Sequence, residues 1–341
     1  MLDDGLRHVD SKEVMSGKAL PGSFVLRGPS GSGKTKLMKA LGEKGALYIN
    51  LEEGMPDLSA INASCVLLDN LSSLDGWESV LPVLLSEGKR VIASSASYVP
   101  CSFLPSLVLL PPSFSAMLGD EEPERAFHRY LYEGSLGYGK GLPEDSRIRK
   151  KDAYLRVLQL VSSELGHSLS VADISRRAAV SKETAKNYLR YALEDGVLFA
   201  VRSRVNSKTY CYFTDNSLLW MFRPRSETAL YENAAALALY RKHRAGLGCL
   251  KQHGIDFLTP DGTAVRVKLR LDRFSRAKNP GSGVFDSIPG AERYVVVTER
   301  EEAELVIRGE KVMAVPCWKW LLAVEEDGDS RGDGLSLPDR A

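Results

Sequence analysis

Apolar runs at residues 24–27, 46–50, 65–69, 90–94 and 107–110 alternate with stretches whose apolar residues return every three or four positions. The runs carry apolar side chains on both faces, the mark of parallel strands covered by helices on each side. Residues 34–41 and 77–86 read as the intervening helices, with Gly42 and Gly88 as stop signals. Pro111 and Pro112 end this sheet. A helical stretch over 116–131 follows, then a Gly/Tyr/Pro-rich loop over 134–143 that marks a domain edge.

From 152 to 213 the pattern changes to three helices and a hairpin. The stretch 226–322 returns to mixed α and β: a helix over 229–243, strands near 256–258, 263–271 and 294–298, and a last helix near 317–324. The tail 325–341 holds six acids, three glycines and almost no apolar residues, a composition that predicts disorder.

With 341 residues the chain is long enough for two or three domains. Its 45 Lys/Arg and 44 Asp/Glu nearly cancel, which excludes nucleic-acid binding through overall charge. The distribution is uneven, however. Between Arg147 and Lys208 thirteen basic residues face six acidic ones, so this segment carries +7 and the remainder −6. The five cysteines lie far apart, without CxxC spacing, which argues against a zinc site or disulfide framework and fits a reducing cytoplasm. No apolar run reaches the ~18 residues of a membrane span, and the acidic start is unlike a signal peptide.

The sharpest chemical signal is Gly28-Pro29-Ser30-Gly31-Ser32-Gly33-Lys34-Thr35, a full G-x-x-x-x-G-K-[ST] match between a strand and a helix. Glycines at such positions let successive N–H groups point inward around a phosphate. The helix N-terminus adds partial positive charge. Lys34 is expected to reach the β- and γ-phosphates of ATP, and the Thr35 hydroxyl to hold Mg²⁺. Asp69, at the end of the run 65–69, is the candidate for the magnesium shell. Asn70 follows it, and an amide orients water but takes no proton. Ser94 and Ser95 are candidate γ-phosphate sensors. ATP binding is thus better founded than ATP hydrolysis.

Ser170, with Asp173 three residues on, resembles a capping box opening a helix over 171–178. The turn 179–181 leads to a second helix over 182–195, stopped by Gly196. Ala185, Leu189, Ala192 and Leu193 share its inner face, leaving Lys186, Asn187, Arg190 and Tyr191 on the outer side or its flank, with Lys182 at the helix start. Runs at 197–202 and 208–213 around Arg204 complete the pattern of a winged helix. These basic residues are the candidate DNA contacts; a lid or protein-interaction role stays open beside them.

The order of these segments resembles a prokaryotic family of AAA-type ATP-binding proteins that carry a C-terminal restriction-endonuclease-like domain. The likeness rests on the phosphate loop, Leu67-Leu68-Asp69-Asn70 with Trp77-Glu78, Leu110-Pro111-Pro112-Ser113-Phe114, and 181–188 with Leu189 and Leu193. It continues through Tyr212-Phe213-Thr214-Asp215 with Leu218, Glu232-Asn233, and Gly254-Ile255-Asp256-Phe257 leading to Val265-Arg266-Val267-Lys268. The resemblance implies an α/β chain of three parts: a P-loop NTPase parallel sheet over 1–145, a winged helix over 146–222 and a small α/β nuclease-like domain over 223–324, before the tail 325–341. It also implies an arginine finger, for which Arg125, Arg129, Arg147 and Arg149 are candidates, and, by analogy, a homo-oligomer.

The departures matter as much. Asn70 stands where the family commonly has Glu. In related nucleases an Asp, followed by Glu-x-Lys on the next strand, holds Mg²⁺. Here Asp256 and Lys268 fill two places, Glu232 offers a helix carboxylate, and Arg266 stands where the metal-binding Glu belongs. A guanidinium there repels a cation, so the expectation is a nuclease-like fold without cleavage. The leading reading is an ATP-dependent switch acting on the winged helix, with weak or no hydrolysis. An ATP-dependent nuclease and a DNA-binding regulator with purely structural ATP remain the alternatives.

Overall fold

The computed structural model describes residues 7–17, 20–57, 61–137, 142, 145–271, 291–307 and 309–326. The first layer system comprises β1 (Arg7–Val9), α1 (Ser11–Ser16), β2 (Phe24–Arg27), α2 (Lys34–Gly42), β3 (Leu47–Asn50), β4 (Cys65–Asp69), α3 (Trp77–Ser86), β5 (Arg90–Ser94) and β6 (Ser106–Leu109). Its six strands pair in the order β1-β6-β2-β5-β4-β3, every pair parallel. Strand alternation sends Val25, Val66, Leu68 and Val91 to the face covered by Leu81 and Leu84 of α3. Phe24, Leu26, Leu67 and Ile92 go to the other face, against Leu37 and Met38 of α2. The five expected strands and both helices form. β1 adds an edge strand beside β6 that the pattern did not announce, because three residues are too few for a period.

The expected single helix over 116–131 is two, α4 (Phe114–Leu118) and α5 (Pro123–Glu133). Gly119, at φ 54°, and Pro123 break the run between them. Of the expected domain-edge loop, residues 134–137 and 142 are described and the rest lie outside the described residues.

Then come α6 (Lys151–Ser163), α7 (Val171–Ala178), α8 (Lys182–Glu194), β7 (Leu198–Ser203) and β8 (Thr209–Phe213). Ser170 Oγ accepts from the Asp173 N–H at 3.0 Å and Ser181 Oγ from the Thr184 N–H at 3.0 Å, so both helices start on hydroxyl caps. Ala179, at φ 53°, makes the turn between them. Helix-turn-helix and hairpin form as read, yet the hairpin is no free wing. β7 pairs parallel with β9 (Gly248–Leu250), through Arg202 with Gly248 and Ser203 with Cys249.

The remaining elements are α9 (Asn216–Met221), α10 (Glu227–His243), β10 (Ile255–Leu258), β11 (Thr263–Val267), β12 (Arg293–Thr298), β13 (Ala303–Ile307), β14 (Glu310–Pro316) and α11 (Cys317–Glu326). The second sheet runs β13-β14-β12-β11-β10-β9-β7-β8, with β11, β12 and β14 parallel and β9-β10-β11 antiparallel. One hydrophobic core extends from Leu110 through Leu189 and Phe213 to Val324, wrapped around the nearly all-buried α10. Packing is therefore continuous across the boundary expected at 222/223. Glu325 and Glu326, assigned to a disordered tail, are the last turn of α11; residues 327–341 lie outside the described ones.

Candidate functional site

Phosphate-binding sequences need a strand that stops short and a helix that starts late. β2 ends at Arg27 and α2 begins at Lys34, leaving residues 28–33 to turn between them. Gly28, Gly31 and Gly33 take φ of 146°, 88° and 94°, values open to glycine and costly for other residues. At Gly28 a Cβ would also meet the Leu109 carbonyl oxygen at 2.7 Å. The loop thus closes under β6.

Lys34 folds back over this loop. Its Nζ donates to the Gly28 carbonyl at 2.8 Å and the Pro29 carbonyl at 2.9 Å, with Ser32 Oγ at 3.5 Å. Burial lowers its pKa to about 8, and the Asp69 carboxylate opposes that shift. Thr35 is exposed at the first turn of α2, while Ser30 and Gly31 face solvent.

Asp69 is fully buried at the end of β4. It accepts from the Tyr48 hydroxyl at 2.9 Å and from the Ser94 hydroxyl. Because β5 lies between β2 and β4, Ser94 stands between the phosphate loop's strand and the acid's strand. Its oxygen also receives the Asn70 N–H at 3.3 Å. Burial first, then the hydrogen bond to Asp69, push the Tyr48 phenol up to about 12. Asn70 sits at φ 60° and donates through Nδ2 to Asn50 Oδ1 at 3.1 Å, and Asn50 donates to Glu53 Oε1 at 3.0 Å. Tyr48, Asn50 and Glu53 escaped the sequence reading; only the in-register pairing of β3 with β4, Asn50 opposite Asp69, reveals them.

Beneath the loop lies a buried ionic junction. Arg27 donates to Asp195 Oδ1 at 2.7 Å, and Arg147 reaches the same oxygen at 3.1 Å, Asp145 Oδ2 at 2.7 Å, and Glu194. The Tyr98 ring contacts both guanidiniums, its centroid 4.7 Å from Arg27 and 3.4 Å from Arg147, and the Tyr191 ring lies 4.2 Å from Arg147. Burial pushes the Asp195 carboxyl up to about 8 against the pull of Arg27. Of the arginine-finger candidates, Arg147 belongs to this junction. Arg125 and Arg129 pair with Glu121 on the exposed side of α5, and Arg149 is exposed.

Lys182, Lys186 and Arg190 are exposed along one face of α8. Arg190 bonds Asn187 Oδ1 at 3.2 Å. Arg204 differs from them: its guanidinium donates to the Gly246 carbonyl and its stem packs on Gly248, so it ties the hairpin to the sheet.

In the second sheet Glu232 (α10) and Asp256 (β10) do come together, but around a cation of the chain itself. Lys251 Nζ bonds Glu232 Oε1 at 2.5 Å and Asp256 Oδ1 at 2.7 Å. Tyr212 donates to Glu232 at 3.0 Å, and the Val267 N–H to Asp256 Oδ2 at 2.7 Å. The two carboxylates hold the Lys251 ammonium well above its ordinary pKa. Arg266 and Lys268 flank Val267 and are half-buried. Among the described residues no group of three or more His, Cys, Asp or Glu is placed to hold a metal ion.

No helix among the described residues is long and apolar enough to cross a membrane. No family model matches the sequence, and no curated protein matches it. The family resemblance therefore rests on its motifs. Among solved structures, the chain is similar to a Walker-type ATPase of Pyrococcus abyssi, with 11% identity and a TM-score of 0.40 over 62% of this chain and 94% of that one. A likeness of that size carries no argument about function; the glycine loop and its lysine stand on their own geometry.

Proposed function

We propose that the chain is an ATP-binding switch in which the phosphate loop acts on the helix-turn-helix. The observation that carries it is the loop 28–35: three glycines at positive φ, a helix N-terminus, and a lysine amine lying over the cradle. An anion arriving there would exchange Lys34's two carbonyl partners for phosphate oxygens, a charge-assisted and therefore stronger bond. Residues 30–33 would supply N–H groups, Thr35 its hydroxyl to Mg²⁺, and Asp69 the outer magnesium shell. When bound, the metal would neutralise phosphate charge. Asn70 cannot accept a proton, which supports slow turnover or none.

The switch reading draws support from α8. Its last turn joins the junction below the loop, and its other end, about 20 Å away by helical rise, carries Lys182 and Lys186. That exposed basic face favours a nucleic-acid partner. Lys251 between Glu232 and Asp256, together with Arg266, favours a C-terminal domain without metal-dependent cleavage.

Titration of wild type and Lys34→Ala with ATP and Mg²⁺ tests the reading. Wild type binds and the variant loses at least about tenfold in affinity, the ~1.4 kcal/mol floor for a charged hydrogen bond; equal affinities would refute it. The pH profile carries the same signature. Phosphate raises the Lys34 pKa from about 8, so binding takes up a proton. Affinity is accordingly flat below pH 8 and declines as pH rises beyond it, in wild type alone.

A further inference from the structure

The turn 214–216 follows the hairpin and lies far in sequence from the phosphate loop, yet both supports of that loop hang from it. Asp215 is fully buried. Its Oδ2 accepts from the Ser135 N–H at 2.8 Å and the Ser135 hydroxyl at 2.6 Å. Its Oδ1 accepts from the Ser217 N–H at 2.9 Å and the Ser217 hydroxyl at 2.6 Å. Four donors on one carboxylate fix the strand of chain through Ser135, and Gly134, at φ 62°, gives room for the close approach. The next residue, Leu136, is buried against Gly31: a Cβ there would meet Leu136 Cδ2 at 3.4 Å and its carbonyl oxygen at 3.5 Å.

Thr214 holds the second support. Its hydroxyl donates to the Gly196 carbonyl, and its N–H to the Val197 carbonyl at 3.1 Å. Gly196 in turn packs on the loop, where a Cβ would meet Pro29 Cδ at 3.2 Å and Gly28 Cα at 3.6 Å. Asn216 anchors the turn itself, donating to the Leu131 and Leu230 carbonyls at 3.0 and 3.1 Å and accepting from Asn233 at 2.9 Å.

We propose that Asp215 is a positioning residue for the phosphate loop: through Ser135 it holds Leu136 against the outer side of Gly31, while Thr214 holds Gly196 beneath Pro29, so the turn 214–216 keeps the loop in its phosphate-receiving shape. The affinity part of this proposal rests on the nucleotide reading above; the bracing part does not. A carboxylate is required because an amide has one acceptor oxygen. In Asp215→Asn the NH₂ group faces a backbone N–H, from Ser135 or from Ser217, whichever way it turns.

Amide hydrogen exchange across residues 30–33, without nucleotide, is compared in wild type, Leu136→Ala, Ser135→Ala and Asp215→Asn. Leu136→Ala and Asp215→Asn speed exchange in that segment while β4 and α10 keep wild-type protection, and Ser135→Ala, which retains the backbone donor, gives a smaller increase. ATP titration then reads the consequence. If lost bracing leaves the loop competent about a tenth of the time, the Kd rises about tenfold. Unchanged exchange in residues 30–33 of Leu136→Ala or of Asp215→Asn, or acceleration spread equally over the whole chain, overturns the proposal. Wild type that binds no ATP overturns the nucleotide reading instead, and the exchange comparison still decides the brace.

Discussion

Lys251 holds together two carboxylates that, without it, would face each other across a buried gap. Removing one partner of such a group costs about 3–5 kcal/mol, because charge is left behind rather than because the pairing itself is strong. Lys251→Met should therefore lower the urea midpoint substantially at neutral pH, and adding Glu232→Gln should recover part of the loss. A single variant as stable as wild type would mean that water already screens the triad. Glu232 and Asp256 stood out in the sequence only through the family resemblance. Lys251 did not, since a lysine in a short turn ordinarily points to solvent; its role exists only where α10, that turn and β10 converge. Tyr48 at Asp69 is the same case. The loop conformation around Gly28, Gly33 and Lys34 was readable because its pattern is contiguous in sequence.

α8 is written in the sequence from cap to stop: Ser181 begins it, alternate buried alanines and leucines seat it, and Gly196 lies just past its end. What the sequence does not tell is that the stop is also a contact. Gly196 has φ 72°, and a Cβ would stand 2.6 Å from Val108 Cγ1 and 3.2 Å from Pro29 Cδ. Gly196→Ala should destabilise by about 1–3 kcal/mol from left-handed backbone strain and overpacking. It should weaken ATP binding besides, since Pro29 of the phosphate loop is, with Val108, one of the neighbours that must give way. Thermal unfolding and ATP titration measure the two effects; a variant with lowered stability and wild-type affinity would show the loop indifferent to this helix end. Other elements were legible in kind and misjudged in context. The hairpin β7-β8 was recognisable by its turn and alternation, but its pairing with β9 joins residues 202 and 248, and no local pattern encodes so distant a partner. β9 itself has three residues, too few to show a period.

The described residues form two sheets, and the junction under the phosphate loop is where the proposed switch would link the loop to α8. Arg27, Tyr98, Arg147 and Tyr191 touch in turn, with Asp145, Glu194 and Asp195 around them. Each belongs to a different segment: the strand entering the loop, the segment after Ser94 and Ser95, the connection before α6, and α8 itself. Ser94, which bonds Asp69, stands four residues before Tyr98 in the chain, and Tyr98 contacts Arg147, which lies over Tyr191 of α8. Contiguity alone is not coupling, so the claim requires a cycle. ATP should change amide exchange over residues 190–196 in wild type. Tyr98→Leu, which keeps bulk without a π face, and Arg147→Lys, which keeps charge without the planar fork, should each blunt that response with ATP affinity retained within about threefold. Residues of one network are non-additive, so the double variant should do no more than either single one. Full responses in both single variants would leave these contacts as packing, and the phosphate loop would then reach the end of α8 through the Arg27–Asp195 pair and the contact of Gly196 with Pro29.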